Sequence, residues 1–456
     1  MVKSFRKGLT PMTHSRMVSN PKKLSLLALI AATYCMVCGG PFGMEDLVQK
    51  AGYLGAIVTL LLTPLLWGVP TAMMVSELAS AIPREGGFYV WVSRAMGPFW
   101  GFQEAWLTFM GSIFDMAIYP TLFAWYVVRF WPVLDRGHIP LLIGLAMIVG
   151  CVLWNLQGAV AVGRGSIGVT VAILSPFILV VWYGLLRHEN VHSAPVSISH
   201  LDILGGLLIA MWNYMGWDNA STVAGEVDRP RRTYPLAMLY SCILVTLTYV
   251  IPIAALARAG ISLDEWGTGG WVDIARTLGG NGLAAALMVA GAVAAVGSFN
   301  ALVMSLSRLP AVMAEDGFLP KVFAYCNPKT GVPTVAIIVS AVVWGFCLGL
   351  GFEKVVMLDV LLTGMSILLE FAALVLLRIR EPLLDRPYRV PGRLFGAVAV
   401  GIFPLVLIVA TVIRNYGEKL GPINTLSLGV VLMALGPLLY LGKSVSQKAY
   451  SRLFPK

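Results

Sequence analysis

The sequence predicts an all-α membrane protein of about twelve transmembrane helices, and three observations predict it. Of 456 residues, 58% are hydrophobic and only 12% charged, about half the charged share of a soluble globular chain. Apolar stretches of roughly 20 residues, the length that crosses the hydrocarbon core, recur from Leu24 to Leu441. Basic residues alternate in density from one connecting segment to the next. Sorted by the side that twelve spans imply, 24 of the 33 Lys and Arg lie with the N-terminus and 9 lie opposite. The positive-inside rule then places both termini in the cytoplasm, and a multi-pass protein of the plasma (inner) membrane is expected. The net charge of +10 is thereby topological, and nucleic acid is not expected as a partner.

Residues 1–23 read as a cytoplasmic tail, because their basic, Ser, Thr and Pro residues precede no apolar segment ending in a cleavage site. Span 1 (24–49) is interrupted by Cys38-Gly39-Gly40-Pro41-Phe42-Gly43, where proline removes a donor and glycine weakens the helix. Span 2 (54–81) leads to a turn at 82–88 and a short amphipathic cytoplasmic helix at 89–94. Span 3 (98–130) carries Asp115 and Tyr119, one turn apart on one face. Spans 4 (139–157) and 5 (165–187) are apolar. Span 6 (203–226) is broken by Trp212-Asn213-Tyr214-Met215-Gly216-Trp217-Asp218-Asn219. Span 7 (235–258) leads to an external segment at 262–280, with Trp266 and Trp271 set to pack over the outer vestibule. Spans 8 (282–313) and 9 (333–351) precede span 10 (355–380), which holds Asp359 and Glu370. Spans 11 (395–414) and 12 (423–442) complete the membrane part, and 443–456 form a second cytoplasmic tail.

Irregular backbone at membrane depth is tolerated only when buried in protein or lining a cavity. In a chain of two five-helix repeats, 24–188 and 200–380, the breaks of spans 1 and 6 occupy equivalent positions and point to a substrate site. The alternative is that their glycines merely allow close helix packing. Ionisable groups within apolar spans are costly and face a cavity or a partner, which selects Asp115, Asp218 and Glu370. Asp359 lies eleven residues before Glu370, on nearly the same face and about three turns outward. For each acid singly, a hydrogen bond to a neighbouring helix is the competing reading. Trp212, Trp217 and Tyr119 supply aromatic faces to an ammonium group. Glu45 and Asp46 follow the first break and are expected to face the vestibule, as attractors of cations or as a solvated pair. Glu226 and Glu77 sit near cytoplasmic helix ends, where capping and loop salt bridges are expected; Glu226 is also a gating candidate. All five histidines fall in tails or loops, so an intramembrane enzyme has no buried imidazole to use. The six cysteines show no paired spacing, and neither a disulfide framework nor a metal site is expected.

These motifs resemble the amino acid–polyamine–organocation superfamily, and within it the polyamine uptake transporters of plants and protozoa. The resemblance runs from Leu24 to Pro391. It rests on Gly39-Gly40-Pro41-Phe42-Gly43-Met44-Glu45-Asp46, Gly97 to Gln103, Asp115 with Tyr119-Pro120, and Trp212-Asn213. It rests equally on Trp217-Asp218 running into Ser221 to Val227, on Leu369-Glu370-Phe371 and on Arg386 to Pro391. It implies a LeuT-type fold of five plus five inverted helices with two added (394–442), alternating access, and uptake coupled to an ion, usually the proton, with no cofactor. It also implies that Gly39, Gly40, Pro41 and Phe42 with Trp212, Asn213, Trp217 and Asp218 hold the substrate, completed by Asp115, Tyr119 and Glu370. Many proton-coupled relatives carry a Lys in helix 5, and residues 167–183 contain none.

The expected activity is therefore import of putrescine or spermidine by proton symport. A zwitterion has no use for several buried carboxylates, whereas each ammonium group of a diamine, stripped of water, requires an anionic or aromatic partner. A neutral or cationic amino acid permease or exchanger is the alternative within the superfamily. A sensor or complex subunit without flux is the alternative outside it.

Overall fold

A computed structural model of the protein describes residues 23–187, 203–267, 269–348, 352–414, 416–417, 419–420 and 422–453. Four of the five histidines and most of the N-terminal tail lie outside the described residues.

Helix α1 (Leu26–Val37) begins on a capping Ser25, whose hydroxyl accepts from the Ala28 N–H, and stops at the first break. Helix α2 (Glu45–Thr63) joins the end of span 1 to the start of span 2 across a sharp bend at Gly52. The gap between spans 1 and 2 is thus a bend at one glycine, in a conformation that favours this residue. A π turn at Pro64–Gly68 leads into α3 (Val69–Ala81). The predicted amphipathic segment forms α4 (Gly87–Met96), followed by α5 (Pro98–Phe130) with proline in its first turn, where the missing N–H costs nothing. Helices α6 (Ile139–Asn155), α7 (Ala159–Leu186) and α8 (Ile203–Asn213) follow.

Span 6 does not resume as an α-helix after its break. Residues Asp218–Glu226 form a 3₁₀ segment, because polar side chains capture its backbone: the Thr222 hydroxyl donates to the Asn219 carbonyl at 2.9 Å. Helix α9 (Pro230–Ala259) leads to α10 (Trp271–Leu306), whose first two turns come from the segment expected to be external and are bent from the rest at Gly279 and Gly280. Helices α11 (Arg308–Glu315), α12 (Thr334–Phe346), α13 (Phe352–Arg380) and α14 (Arg393–Arg414) precede a two-residue hairpin, β1 (Lys419–Leu420) and β2 (Ile423–Asn424). The last helix, α15 (Thr425–Leu453), runs beyond the predicted end of span 12 at 442.

Eight helical stretches are long and apolar enough to cross a membrane, and two of them, Glu45–Ala81 and Trp271–Glu315, contain the bends described above. Helices α1, α6 and α12 are shorter and apolar. Burial ranks the helices by depth in the bundle. The apolar stretch of α5 is 67% buried against 17% in α15, so α5 is central and α15 peripheral. Leu54, Leu142, Leu153, Ile178 and Ile402 turn large apolar side chains outward, as expected where lipid replaces water. Helix α5 packs along α13 and α10, and this contact positions the site.

Both ends of the bundle are closed. At the end where the chain enters α1, Leu24 pairs with Val227 in a parallel bridge, and the Gly86 N–H donates to the Thr222 carbonyl at 3.1 Å. At the opposite end the Trp271 indole donates to the Pro41 carbonyl at 2.7 Å. There Phe42 packs edge-on against Tyr126 and Phe177 at 5.1 and 5.3 Å.

Candidate functional site

The two breaks meet at the middle of the bundle and enclose a cavity of about 40 Å³. Gly216 stands in the left-handed region (φ 93°), and a Cβ there would come within 2.7 Å of the Met36 carbonyl. Only glycine allows the second break to lie so close on the end of α1. Across the cavity, a Cβ on Gly111 of α5 would sit 2.4 Å from the Thr363 hydroxyl of α13, so this glycine lets α5 and α13 bring their acids together.

Three carboxylates line this cavity: Asp115 from α5, Asp218 from the second break and Asp359 from α13. Asp115 Oδ1 accepts from the Trp212 indole at 3.0 Å and from the Tyr119 hydroxyl at 3.2 Å. The Tyr119 and Trp212 rings lie 6.2 Å apart between centroids, tilted by 36°, so the acid sits at the edge of an aromatic pair. Asp359 Oδ1 accepts from Thr363 at 2.7 Å. Asp218 is buried, and its Oδ1 has no hydrogen-bond partner.

The structure separates the remaining candidates. Asn213 lines the cavity, but its side-chain amide donates to the Ile209 carbonyl at 2.9 Å. Gly39 packs against Ser298 and Gly40 against Ile173. With Pro41 and Phe42 they do not line the cavity but form the closed wall toward Trp271 and Tyr126. Trp217 is also outside the cavity, fully buried, with its indole donating to the Tyr214 carbonyl at 2.7 Å. The vestibular position expected for Glu45 is not observed: Glu45 is 1% exposed and accepts from the Tyr126 hydroxyl at 2.7 Å. Its neighbour Asp46 is half-buried and partnered. Glu226 accepts from Arg308 at 2.6 and 3.0 Å, closing the end where the chain enters. Trp266 and Trp271 are fully buried.

Glu370 is fully buried, and neither carboxylate oxygen has a hydrogen-bond partner. It does not line the cavity but lies within electrostatic reach of Asp218 and of Glu104 on α5. Glu104 is the acid that sequence reasoning missed. It is fully buried, and its Oε1 accepts from Thr108 and Ser366, both at 2.9 Å. The signal was a spacing: Glu104 precedes Asp115 by the same eleven residues that separate Asp359 from Glu370, and α5 packs along α13.

Among the described residues, the buried cations are Arg308 and Arg386, paired with Glu226 and Glu77. No ion pair reaches Asp115, Asp218, Asp359, Glu104 or Glu370 among those residues. A buried anion without a cation beside it is costly, so the site is built to receive positive charge from outside the chain. No cluster of three His, Cys, Asp or Glu with metal-holding geometry occurs among the described residues.

Comparison with known proteins agrees with this chemistry. A probable polyamine transporter of Arabidopsis thaliana is 35% identical over 450 residues, covering 96% of this chain and 91% of its own length. A polyamine transporter of Oryza sativa subsp. japonica is 35% identical over 421 residues, covering 92% and 78%. Another from Arabidopsis thaliana is 33% identical over 427 residues, covering 92% and 86%. The amino acid permease model matches residues 24–435, a stretch that contains both helix breaks, the acids Asp115, Asp218, Asp359, Glu104 and Glu370, and the helices that hold them. Two broken helices around a cavity that can bind a solute, in a chain matched over nearly its whole length, identify a permease and not an enzyme: this protein belongs to the amino acid permease family of membrane transporters.

Proposed function

We propose that this protein imports polyamines across the plasma membrane by alternating access, with both termini in the cytoplasm and with proton movement driving uptake. The observation that carries the reading is the cavity lined by Asp115, Asp218 and Asp359 beside Tyr119 and Trp212, with no basic side chain among its lining residues. An α-amino acid brings a carboxylate that three acids would repel. A diamine brings two ammonium groups, one for Asp115 and Asp359 at the aromatic pair and one for Asp218 in the break. The relatives named above transport polyamines by name, and the bias of 24 basic residues against 9 supports the orientation. The two halves, 24–188 and 200–380, act in this reading as inverted repeats that rock about the breaks.

The cavity holds about three water-sized spheres. The observed state is therefore closed around less than a full substrate, and binding requires one end to open. The competing reading, a neutral or cationic amino acid permease, draws on the family description. Uptake of labelled putrescine into proteoliposomes separates the two: spermidine should compete, and alanine and arginine should not. Competition by the amino acids alone would overturn the polyamine reading. Asp218→Asn is expected to abolish putrescine uptake while leaving folded, membrane-inserted protein, because the amide keeps the shape of the break and removes its charge. Uptake at the unaltered rate would remove Asp218 from the site.

A further inference from the structure

The cavity accounts for Asp115, Asp218 and Asp359, and leaves two acids of the same bundle unexplained. Glu104 and Glu370 are both fully buried, and neither lines the cavity. They face each other across the α5–α13 contact, and hydroxyls satisfy one oxygen of one of them: Thr108 and Ser366 lie 2.7 Å apart, and both donate to Glu104 Oε1. Three of the four carboxylate oxygens, Glu104 Oε2 and both of Glu370, have no hydrogen-bond partner. Two carboxylates this deep cannot both carry charge without a counter-ion. The pair is set back from the cavity behind Thr108, which lines it, so an ammonium group held there does not contact the two carboxylates in this closed state. The cation that fits such a space is the smallest one.

We propose that Glu104 and Glu370 form the coupling-proton site of the transporter, separate from the substrate cavity and joined to it electrostatically through Asp218. The proposal rests on the polyamine reading given above. Asp218 is the link because it lines the cavity and lies within electrostatic reach of both glutamates. A proton on the pair removes its repulsion of the Asp218 carboxylate, so that Asp218 keeps its charge for an ammonium group. The proton adds to a carboxylate oxygen as an O–H bond when the transporter is open outward, and that bond breaks to release it on the cytoplasmic side. Nothing is oxidised or reduced.

The groups that face the pair from neighbouring elements set the route. Asp218 faces it from the second break, and Asp359 lies further along α13 with Asp115 opposite. From α4, Tyr89 lies within electrostatic reach of Glu104, and its hydroxyl donates to Asp316, an exposed residue beyond α11. In the proposed topology Asp316 is on the cytoplasmic side, so Tyr89 stands between the pair and the cytoplasm. Glu77 is occupied by Arg378 and Arg386 and takes no part.

The test uses the full-length protein in proteoliposomes, with the membrane potential clamped at zero and labelled putrescine as the probe. At one proton per substrate, a gradient of one pH unit supports about tenfold accumulation, because a pH unit and a tenfold concentration ratio are the same free energy. The unaltered protein should reach it. Glu104→Gln and Glu370→Gln should each fall to simple equilibration and lose the pH dependence of uptake, while keeping putrescine counterflow exchange, which needs no net proton movement. Retained exchange also shows that the variant is folded. Glu370 makes no hydrogen bond of its own, so its variant tests the site even where Glu104→Gln fails to fold. Gradient-driven accumulation that persists in both variants would overturn the proton site alone, and its absence from the unaltered protein with exchange intact would overturn proton-driven uptake with it. Absence of putrescine exchange from the unaltered protein would overturn the polyamine reading beneath it.

Discussion

Asp115→Asn is expected to weaken putrescine binding by two to three orders of magnitude while leaving the fold in place. The asparagine oxygen can still accept from the Trp212 indole, which reaches Asp115 at 3.0 Å, and from Tyr119 at 3.2 Å. The cavity wall therefore keeps its shape and loses only its charge. Removing one partner of a buried ion pair costs about 3–5 kcal/mol, and each 1.4 kcal/mol is about tenfold in affinity. The lower part of that range applies, because Asp359 and Asp218 line the same cavity and still offer charge to the substrate. Calorimetric titration of the purified protein with putrescine measures the effect, and thermal unfolding of the free protein serves as the control. A change of threefold or less would show that Asp115 acts only as an anchor for the Trp212 and Tyr119 side chains. Tyr119→Phe should be milder, since it removes one hydrogen bond and retains the ring.

The parts of this site that were legible in the sequence are those where a residue conflicts with its local setting. Glycines and a proline inside span 1, and polar residues inside span 6, contradict the helix around them, and both breaks appear where the conflict lies. Asp115 and Asp218 stand out for the same reason, as charges in apolar runs. Glu104 did not stand out. Its span, 98–130, extends about 50 Å as a helix against a hydrocarbon core of about 30 Å, so a glutamate at its seventh residue reads as an end group. Only the match of two eleven-residue spacings, on helices that turn out to pack together, carries the information that it is central. The fate of Glu45 depends on Tyr126, 81 positions away, and nothing local announces that contact. Trp217 follows the same logic in reverse. Its place beside the break suggested a face for a cation, but the indole N–H satisfies the Tyr214 carbonyl that the break releases. An unwound segment must pair its own backbone before it can offer anything to a substrate, and the aromatic residues nearest the break are the first to be used for it. Span 6 is expected to run on as helix to 226, yet Thr222 and its neighbours hold Asp218–Glu226 as a 3₁₀ segment through side-chain bonds to its backbone.

Glu77→Ala is expected to destabilise the protein by about 3–5 kcal/mol, the cost of leaving buried charge unpaired, out of a total that for folded domains is about 5–15 kcal/mol. Glu77 is fully buried near the end of α3. Its Oε1 accepts from Arg378 Nε at 2.9 Å and lies 3.2 Å from Arg386 Nε, and its Oε2 accepts from Arg378 Nη2 and from the Val390 N–H at 2.7 Å. One carboxylate thus joins α3, the last turn of α13 and the segment that leads to α14. Arg378 and Arg386 are only 10% and 5% exposed in their side chains, so water cannot replace the lost partner. The expectation from sequence, a salt bridge at a helix end, has the right chemistry but gives no hint that the group is buried or that it holds three elements. Thermal unfolding in detergent, followed by tryptophan fluorescence, measures the loss. A second variant separates charge from packing: Glu77→Gln keeps the volume and one acceptor, and should recover less than half of the loss, because both arginines remain unpaired. Full recovery by Gln would mean that hydrogen bonding to Val390, and not neutralisation of the arginines, is what the carboxylate supplies. The affinity of the folded fraction for putrescine should not change in either variant, since Glu77 does not line the cavity. Affinity that fell in parallel with stability would instead place the α3–α13 clamp in the conformational change that opens the site.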